Sequence, residues 1–291
     1  MGLLDGKVAV ITGAGGGLGR EHARLLASEG AKIVVNDLGG ARDGRGGGSE
    51  MADAVVAEIK EAGGEAVANY DSVATIDGGE GILRTAVDAF GQVDILVNNA
   101  GILRDKTLVK TEEADWDAVI AVHLKGTYCV TRPIFAHMKE RGGPGVIVNT
   151  ASTSGLIGNF GQCNYGAAKA GIAGFTRCLH LEGAKYGIRV WGLAPVAFTR
   201  LTEDLMSGEA AEAARKAMDP AKVSQAVLYM VSELSGSHSG QFLFVSGSRV
   251  AELKVVGPVG LKKEGFTAQD IADNESAVFL PPEQAFDMHG G

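Results

Sequence analysis

Tyr165 and Lys169 stand four residues apart, with Ser152 thirteen residues before the tyrosine. On a helix, positions i and i+4 share one face, so the phenol and the ammonium would lie side by side. A free phenol titrates near 10, too high for efficient proton exchange at neutral pH. A neighbouring cation stabilises the phenolate and brings that value down. Such a tyrosine could take the proton of an alcohol, or return it to a forming alkoxide. A serine hydroxyl on the same oxygen would hold it about 3 Å from the tyrosine. Taken singly, Tyr165 reads as aromatic packing and Lys169 as a solvated helix lysine. Together they point to interconversion of an alcohol and a carbonyl, which needs a hydride acceptor.

A place for that acceptor precedes them in the chain. Thr12-Gly13-Ala14-Gly15-Gly16-Gly17-Leu18-Gly19 follows an apolar run and opens a helical stretch. Glycines there let the backbone approach a pyrophosphate, which sits against the unpaired N–H groups of a helix start. Asp37 ends the next strand-like run. A carboxylate at that point accepts hydrogen bonds from a ribose diol and repels a 2′-phosphate, which favours NAD(H) over NADP(H). Arg20, Arg42 and Arg45 are the cations that could instead reach a phosphate.

These residues need a frame. Strand patterns are expected at 7–12, 32–36, 65–69, 93–97, 145–150, 188–193 and 242–245, and helices at 49–62, 75–89, 112–139, 165–186 and 220–233. Trp116, Ile120, Leu124, Tyr128, Thr131 and Phe135 recur at helical spacing, as do Ala168, Ile172, Phe175 and Leu179. Strands alternating with such helices predict an α/β fold, a Rossmann-type, doubly wound parallel sheet in three layers and a single domain. Ligand sites of such sheets lie beyond the carboxyl ends of the strands, where every motif above falls. The composition agrees: 45% hydrophobic residues can fill a core of this size, and 43 glycines without a collagen period must serve turns and close approaches.

The chain resembles the short-chain dehydrogenase/reductase family over about residues 5–250. The resemblance rests on Thr12-Gly13-x-x-x-Gly17-x-Gly19, Asn98-Asn99-Ala100-Gly101, Ser152, Tyr165-x-x-x-Lys169 and Pro195-x-x-x-Thr199. It implies Ser152, Tyr165 and Lys169 as the catalytic group, Lys169 also holding the nicotinamide ribose. It implies cofactor contacts from Gly13, Gly16, Gly17, Leu18, Gly19, Asp37, Asp71, Ser72, Asn99, Ala100, Gly101, Val122, Tyr165, Lys169, Pro195 and Thr199. Two positions depart from the family pattern. Val196 stands where glycine is usual, and His123 replaces an asparagine that anchors a water in the proton relay. His123 could serve that relay and titrate near neutral pH, or be a satisfied interior histidine.

Within the family, residues 35–39 with the glycine-rich stretch after them, 68–73, 98–105, His123 and 158–162 resemble the (3R)-hydroxyacyl-CoA dehydrogenase domain of peroxisomal multifunctional enzymes type 2, or 17β-hydroxysteroid dehydrogenases type 4. A free-standing form is expected, because the hydratase and sterol-carrier modules of those enzymes are lacking. The implied reaction oxidises (3R)-3-hydroxyacyl-CoA to 3-oxoacyl-CoA with NAD, as in fatty-acid β-oxidation, with a separate enoyl-CoA hydratase supplying the substrate. Alternatives are a 3-oxoacyl-(acyl carrier protein) reductase, or an enzyme of steroids or other apolar alcohols. A non-catalytic NAD(H)-binding sensor is the alternative of another class.

Several expectations remain. Residues 39–48 read as a mobile surface loop or, more sharply, as a flap over the adenosine end of the cofactor. Residues 198–220 should form an apolar substrate lid, and 251–291 an appendage to the 1–250 domain, with a helix starting at Thr267. Three cysteines without a CxxC pair suggest a reducing compartment and packing roles. The net charge of -8 argues against nucleic acid. No apolar run is long enough to span a membrane and no address is recognised, so the cytoplasm is the expected location. The histidines show no metal-ligand spacing. The resemblance implies a homodimer or homotetramer formed through helices 112–139 and 165–186.

Overall fold

A computed structural model describes residues 2–197, 212 and 218–281. The expected strands form: β1 (Val8–Thr12), β2 (Lys32–Asn36), β3 (Ala66–Asn69), β4 (Ile95–Asn98), β5 (Gly145–Thr150), β6 (Ile188–Val196) and β7 (Phe242–Ser246). Their order is β3-β2-β1-β4-β5-β6-β7, every neighbouring pair parallel. An eighth strand, β8 (Arg249–Leu253), follows β7 in that order and was not expected from the sequence.

Strands β1, β4 and β5 are buried along their whole length because both sheet faces are covered. Side chains alternate between two cores. Ile11, Val35, Val97 and Val148 meet helices α1 (Gly17–Ser28), α2 (Glu50–Glu61) and α8 (Pro220–Val231) on one face. Val10, Val34, Leu96 and Ile147 meet α3 (Ile76–Phe90), α5 (Gly126–Arg141) and α7 (Cys163–Gly183) on the other. Each such side chain stabilises the fold by about 1.5–3 kcal/mol. A short helix, α6 (Thr153–Leu156), links β5 to α7.

The long central helix departs from expectation. It runs as α4 (Glu113–Ile120), one π turn (Ala121–Lys125) and then α5. Its buried stripe is Val119, His123, Thr127, Val130, Ile134 and Met138, whereas Trp116 and Tyr128 from the expected apolar stripe are exposed. Thr131 of the expected stripe is buried, and tertiary packing rather than residue size decides which face turns inward, since Ile134 and Met138 are buried with it. On α7 the expected stripe holds, with Ala168, Ile172 and Leu179 buried. Of the cysteines Cys129 is buried, but Cys163 and Cys178 are exposed on α7 and have no packing role.

Residues from Leu253 onward form a separate small unit. It contains α9 (Ala268–Asp273) and α10 (Glu275–Val278). The expected start at Thr267 is a capping box, Thr267 Oγ1 accepting from Asp270 N while an Asp270 carboxylate oxygen accepts from Thr267 N. The expected lid at 198–220 lies, except for residues 212 and 218–220, outside the described residues.

Helices α1 and α8 are joined by a fully buried histidine. His22 Nδ1 lies 2.7 Å from Ser224 Oγ, and burial pushes its pKa down from 6.5 to about 3. The unfolded chain therefore binds a proton that the folded protein refuses throughout that window. Stability contributed by the neutral ring is complete above pH 6.5 and is lost as the pH falls towards 3. Replacing His22 with Gln should flatten that acid loss by about 1.4 kcal/mol per pH unit, as read by guanidinium unfolding at a series of pH values.

Candidate active site

The carboxyl ends of β1, β2 and β4 open onto one cleft. Gly13, Gly16, Gly17, Leu18, Asp37, Asp71, Ser72, Asn99, Ala100, Gly101 and Val122 all line it. The glycines are there because side chains would not fit. A Cβ on Gly13, whose φ is +63°, would lie 2.7 Å from Ala100 Cα. Gly19 is buried beneath the loop, where a Cβ would meet Gly13 O at 2.2 Å. Its part is to let α1 pack against the turn, which differs from contacting a ligand. The loop after β4 is clasped to β1, since Thr12 Oγ1 accepts from Asn99 N and Ala100 N. Asn99 Nδ2 donates to Thr12 O and Gly13 O, both at 3.0 Å.

This cradle fits a dinucleotide. The N-cap of α1 is Gly16, so no side chain satisfies the first N–H groups of that helix and they remain for an anion. Asp37 Oδ2 accepts from Gly15 N and Oδ1 from Gly39 N, each at 2.8 Å. Each oxygen keeps a lone pair for a ribose hydroxyl. Arg20, the cation nearest in sequence, is held by Glu58 and Glu21. Arg45 pairs with Asp43. These pairings agree with the NAD(H) preference read from Asp37.

The sequence missed several residues of this cleft, among them Asn36, Leu38, Val73 and Ile102. Asn36 is buried and donates to Asn69 Oδ1 and Asp71 O, which fixes the turn carrying Asp71. Its adjacency to Asp37 was the available signal. The glycine-rich stretch also belongs here, because Gly40, Ala41 and Gly44 line the cleft. Arg42 O accepts from Leu103 N, and Asp43 O accepts from Arg104 Nε at 2.9 Å. Of the two expectations for residues 39–48, this anchoring matches the flap.

Beyond β5 the reacting groups converge. Ser152 lies two residues past the strand and is the N-cap of α6. Its Oγ accepts from Ser154 N at 3.1 Å, and the serine acts on the Tyr165 hydroxyl so as to lower its pKa. Lys169 is buried, donates to Thr150 O at 2.5 Å, and its Nζ lies 5.5 Å from the centre of the Tyr165 ring. Pro195 sits on β6 beside Val245, and Thr199 lies outside the described residues.

Protonation in this cluster differs from expectation. Burial pushes Tyr165 up to about 12; its bond to Ser152 lowers the value and the charge of Asp105 raises it. Burial also brings Lys169 down to about 7. The protein alone thus favours the neutral phenol, and lowering it would need the positive nicotinamide ring of bound NAD⁺ acting together with the lysine. His123 does not titrate near neutrality. Burial, helped by the charge of Lys169, lowers it to about 3, so the ring is neutral. It stands edge-on to Tyr165 with centroids 5.2 Å apart. Its Nε2 lies 2.8 Å from Ile102 O and 3.1 Å from Ile102 N, while Nδ1 is buried without a partner among the described residues.

Residues 7–210 match the short chain dehydrogenase family. A short-chain type dehydrogenase/reductase of Mycobacterium tuberculosis is 52% identical, the match spanning 88% of each chain. The peroxisomal multifunctional enzyme A of Dictyostelium discoideum is 45% identical over 94% of this chain but only 60% of its own length. A hydroxyacyl-CoA dehydrogenase of Mycobacterium tuberculosis is 39% identical over 85% of this chain and 79% of its own. Among solved structures, a short chain dehydrogenase from Mycobacterium avium superposes with a TM-score of 0.84 at 40% identity, covering 97% of this chain and 98% of that one.

Replacing Gly13 with Ala, at a left-handed φ and against Ala100, should weaken NADH binding at least about tenfold, measured by fluorescence titration. An affinity within twofold of the native protein would contradict the cradle. The glycine cradle, Asp37 and the cluster beyond β5 agree with the family match: the chain belongs to the short chain dehydrogenases and is an NAD(H)-dependent oxidoreductase acting on CH–OH groups.

Proposed function

We propose that the protein oxidises (3R)-3-hydroxyacyl-CoA esters to 3-oxoacyl-CoA with NAD⁺ as acceptor. The observation that carries the substrate class is its 39% identity, across most of both chains, to a hydroxyacyl-CoA dehydrogenase. Its likeness to a peroxisomal multifunctional enzyme points the same way. The chemistry rests on Ser152 acting on Tyr165, with Lys169 beside the phenol ring.

In this reading Ser152 donates to the substrate oxygen and Tyr165 removes its proton. Lys169, near-neutral in pKa and buried against Thr150, holds a proton close to the phenol and keeps α7 in place. His123 packs edge-on against the phenol ring and fixes its plane, and its Nδ1 is the point at which a relay would continue. The glycine turn, Asp37 and the residues 99–101 would hold the cofactor. Bound NAD⁺ supplies the hydride acceptor and a positive ring that favours phenolate. The same reading places the enzyme in the cytoplasm as a homodimer or homotetramer, fed by an enoyl-CoA hydratase. Exposed Trp116 and Tyr128 on the central helix suit a subunit contact.

Initial rates at 340 nm with (3R)- and (3S)-3-hydroxybutyryl- and 3-hydroxydecanoyl-CoA, each with NAD⁺ and NADP⁺, test the proposal. The 3R esters with NAD⁺ should exceed the 3S esters by roughly a hundredfold. Oxidation should also rise with pH, because only the phenolate accepts the proton and burial holds the phenol high. Negligible turnover of all four esters would overturn the acyl-CoA assignment. Turnover of steroid alcohols in their place would select the alternative.

A further inference from the structure

Gln162 joins the segments that carry Ser152, Tyr165 and a charged group, Asp105. It occupies the N-cap of α7, yet its side chain makes no bond to that helix. Its Nε2 donates to Asp105 Oδ2 at 2.6 Å. Its Oε1 accepts from Ser154 Oγ at 2.7 Å and from Asn159 Nδ2 at 3.0 Å. The amide can stand only one way round, because a carboxylate presents acceptors and the asparagine amine presents donors. Backbone geometry supports the same junction. Residues 106 and 162 form a parallel bridge. Asn164 Nδ2 donates to Arg104 O, and its Oδ1 accepts from Tyr165 N at 2.7 Å.

From Ser154 the connection runs on to the reacting groups. Ser154 N donates to Ser152 Oγ at 3.1 Å, which occupies one lone pair of that hydroxyl, and Ser152 in turn acts on the Tyr165 phenol to lower its pKa. Three charged or titratable groups, Lys169, His123 and Asp105, act on Tyr165 from different elements. Lys169 lies over its ring from the same helix, and neutral His123 stands edge-on from the π turn. Asp105 approaches from the loop after β4 and is the anion whose charge acts on the phenol.

We propose that Gln162 is a positioning residue: through Ser154 it sets the direction of the Ser152 hydroxyl, and through Asp105 it fixes one negative charge on the loop that joins the start of the Tyr165 helix. This rests on the roles given above to Ser152 and Tyr165. Gln162→Glu keeps the acceptor for Ser154 but sets a second carboxylate against Asp105. Asp105→Asn combined with Gln162→Glu restores a donor facing an acceptor at unchanged net charge.

The four proteins are compared in NAD⁺-saturated initial rates on (3R)-3-hydroxybutyryl-CoA, or on a hydroxysteroid if the native enzyme leaves that ester untouched. The native rate reports on the substrate reading, and ratios of variant to native report on Gln162. Gln162→Glu should lose about tenfold or more in kcat, with the KM for NAD⁺ unchanged. The double variant should recover to within about threefold of native, as coupled partners do. Asp105→Asn alone should move the pH profile of kcat/KM to lower pH, because removing the anion favours phenolate. A Gln162→Glu enzyme within twofold of native, or a double variant no faster than it, overturns the proposal. Should Gln162→Glu fail to fold, Ser154→Ala breaks the same connection without adding charge. A kcat loss of about fivefold with unchanged NAD⁺ KM then supports the proposal, and a native kcat overturns it.

Discussion

The site depends on one buried hydrogen bond, from Lys169 Nζ to the carbonyl of Thr150 at the end of β5. It pins the helix that carries Tyr165 to the carboxyl end of a central strand, so both reacting side chains take their position from the most regular part of the fold. A buried cation is costly unless bonded, and here burial lowers the lysine to about 7. The amine can thus gain or lose a proton near neutrality without the helix moving. Packing enforces the same placement. Gly155 of α6 lies so close to α7 that a Cβ would meet Ala170 N at 2.5 Å, which holds the Ser152 turn directly against the lysine.

A second close approach joins the cofactor cradle to the chemistry. A Cβ on Gly101 would lie 2.4 Å from His123 Cε1, so the loop after β4 and the π turn fit only with glycine there. The π turn carries His123 into the core, where the ring meets both Ile102 and Tyr165. π turns recur at functional sites because the extra residue re-aims a side chain. Here it aims an imidazole at the phenol and leaves Nδ1 without a partner among the described residues. The cleft and the reacting cluster are in this way two ends of one packed layer.

Much of this was legible in the sequence. Strand positions followed from short apolar runs buried on both faces, and the glycine turn, Asp37, Ser152, Tyr165 and Lys169 followed from spacing that only this topology brings together. Tertiary packing decided the rest. Trp116 and Tyr128 recur at helical spacing but face outward, because the central helix buries the face that carries Val119, His123, Ile134 and Met138. The π turn leaves no periodic trace across five residues. Titration of His123 was misjudged because sequence shows which groups are neighbours but not how deeply they are buried. Desolvation is the largest cause at Tyr165 and at His123, and the neighbouring charges, Asp105 and Lys169, push the same way. The contacts of residues 39–48 and of Gln162 are long-range and polar, and no local pattern announces them.

The most direct test of the account is a single-turnover measurement of NADH formation by native enzyme and Tyr165→Phe, with NADH affinity measured alongside. If Tyr165 is the proton acceptor, the variant should lose at least about a thousandfold in rate and bind NADH within twofold of native. A variant that keeps more than about a tenth of the native rate at full NADH affinity would show that the proton leaves by another group.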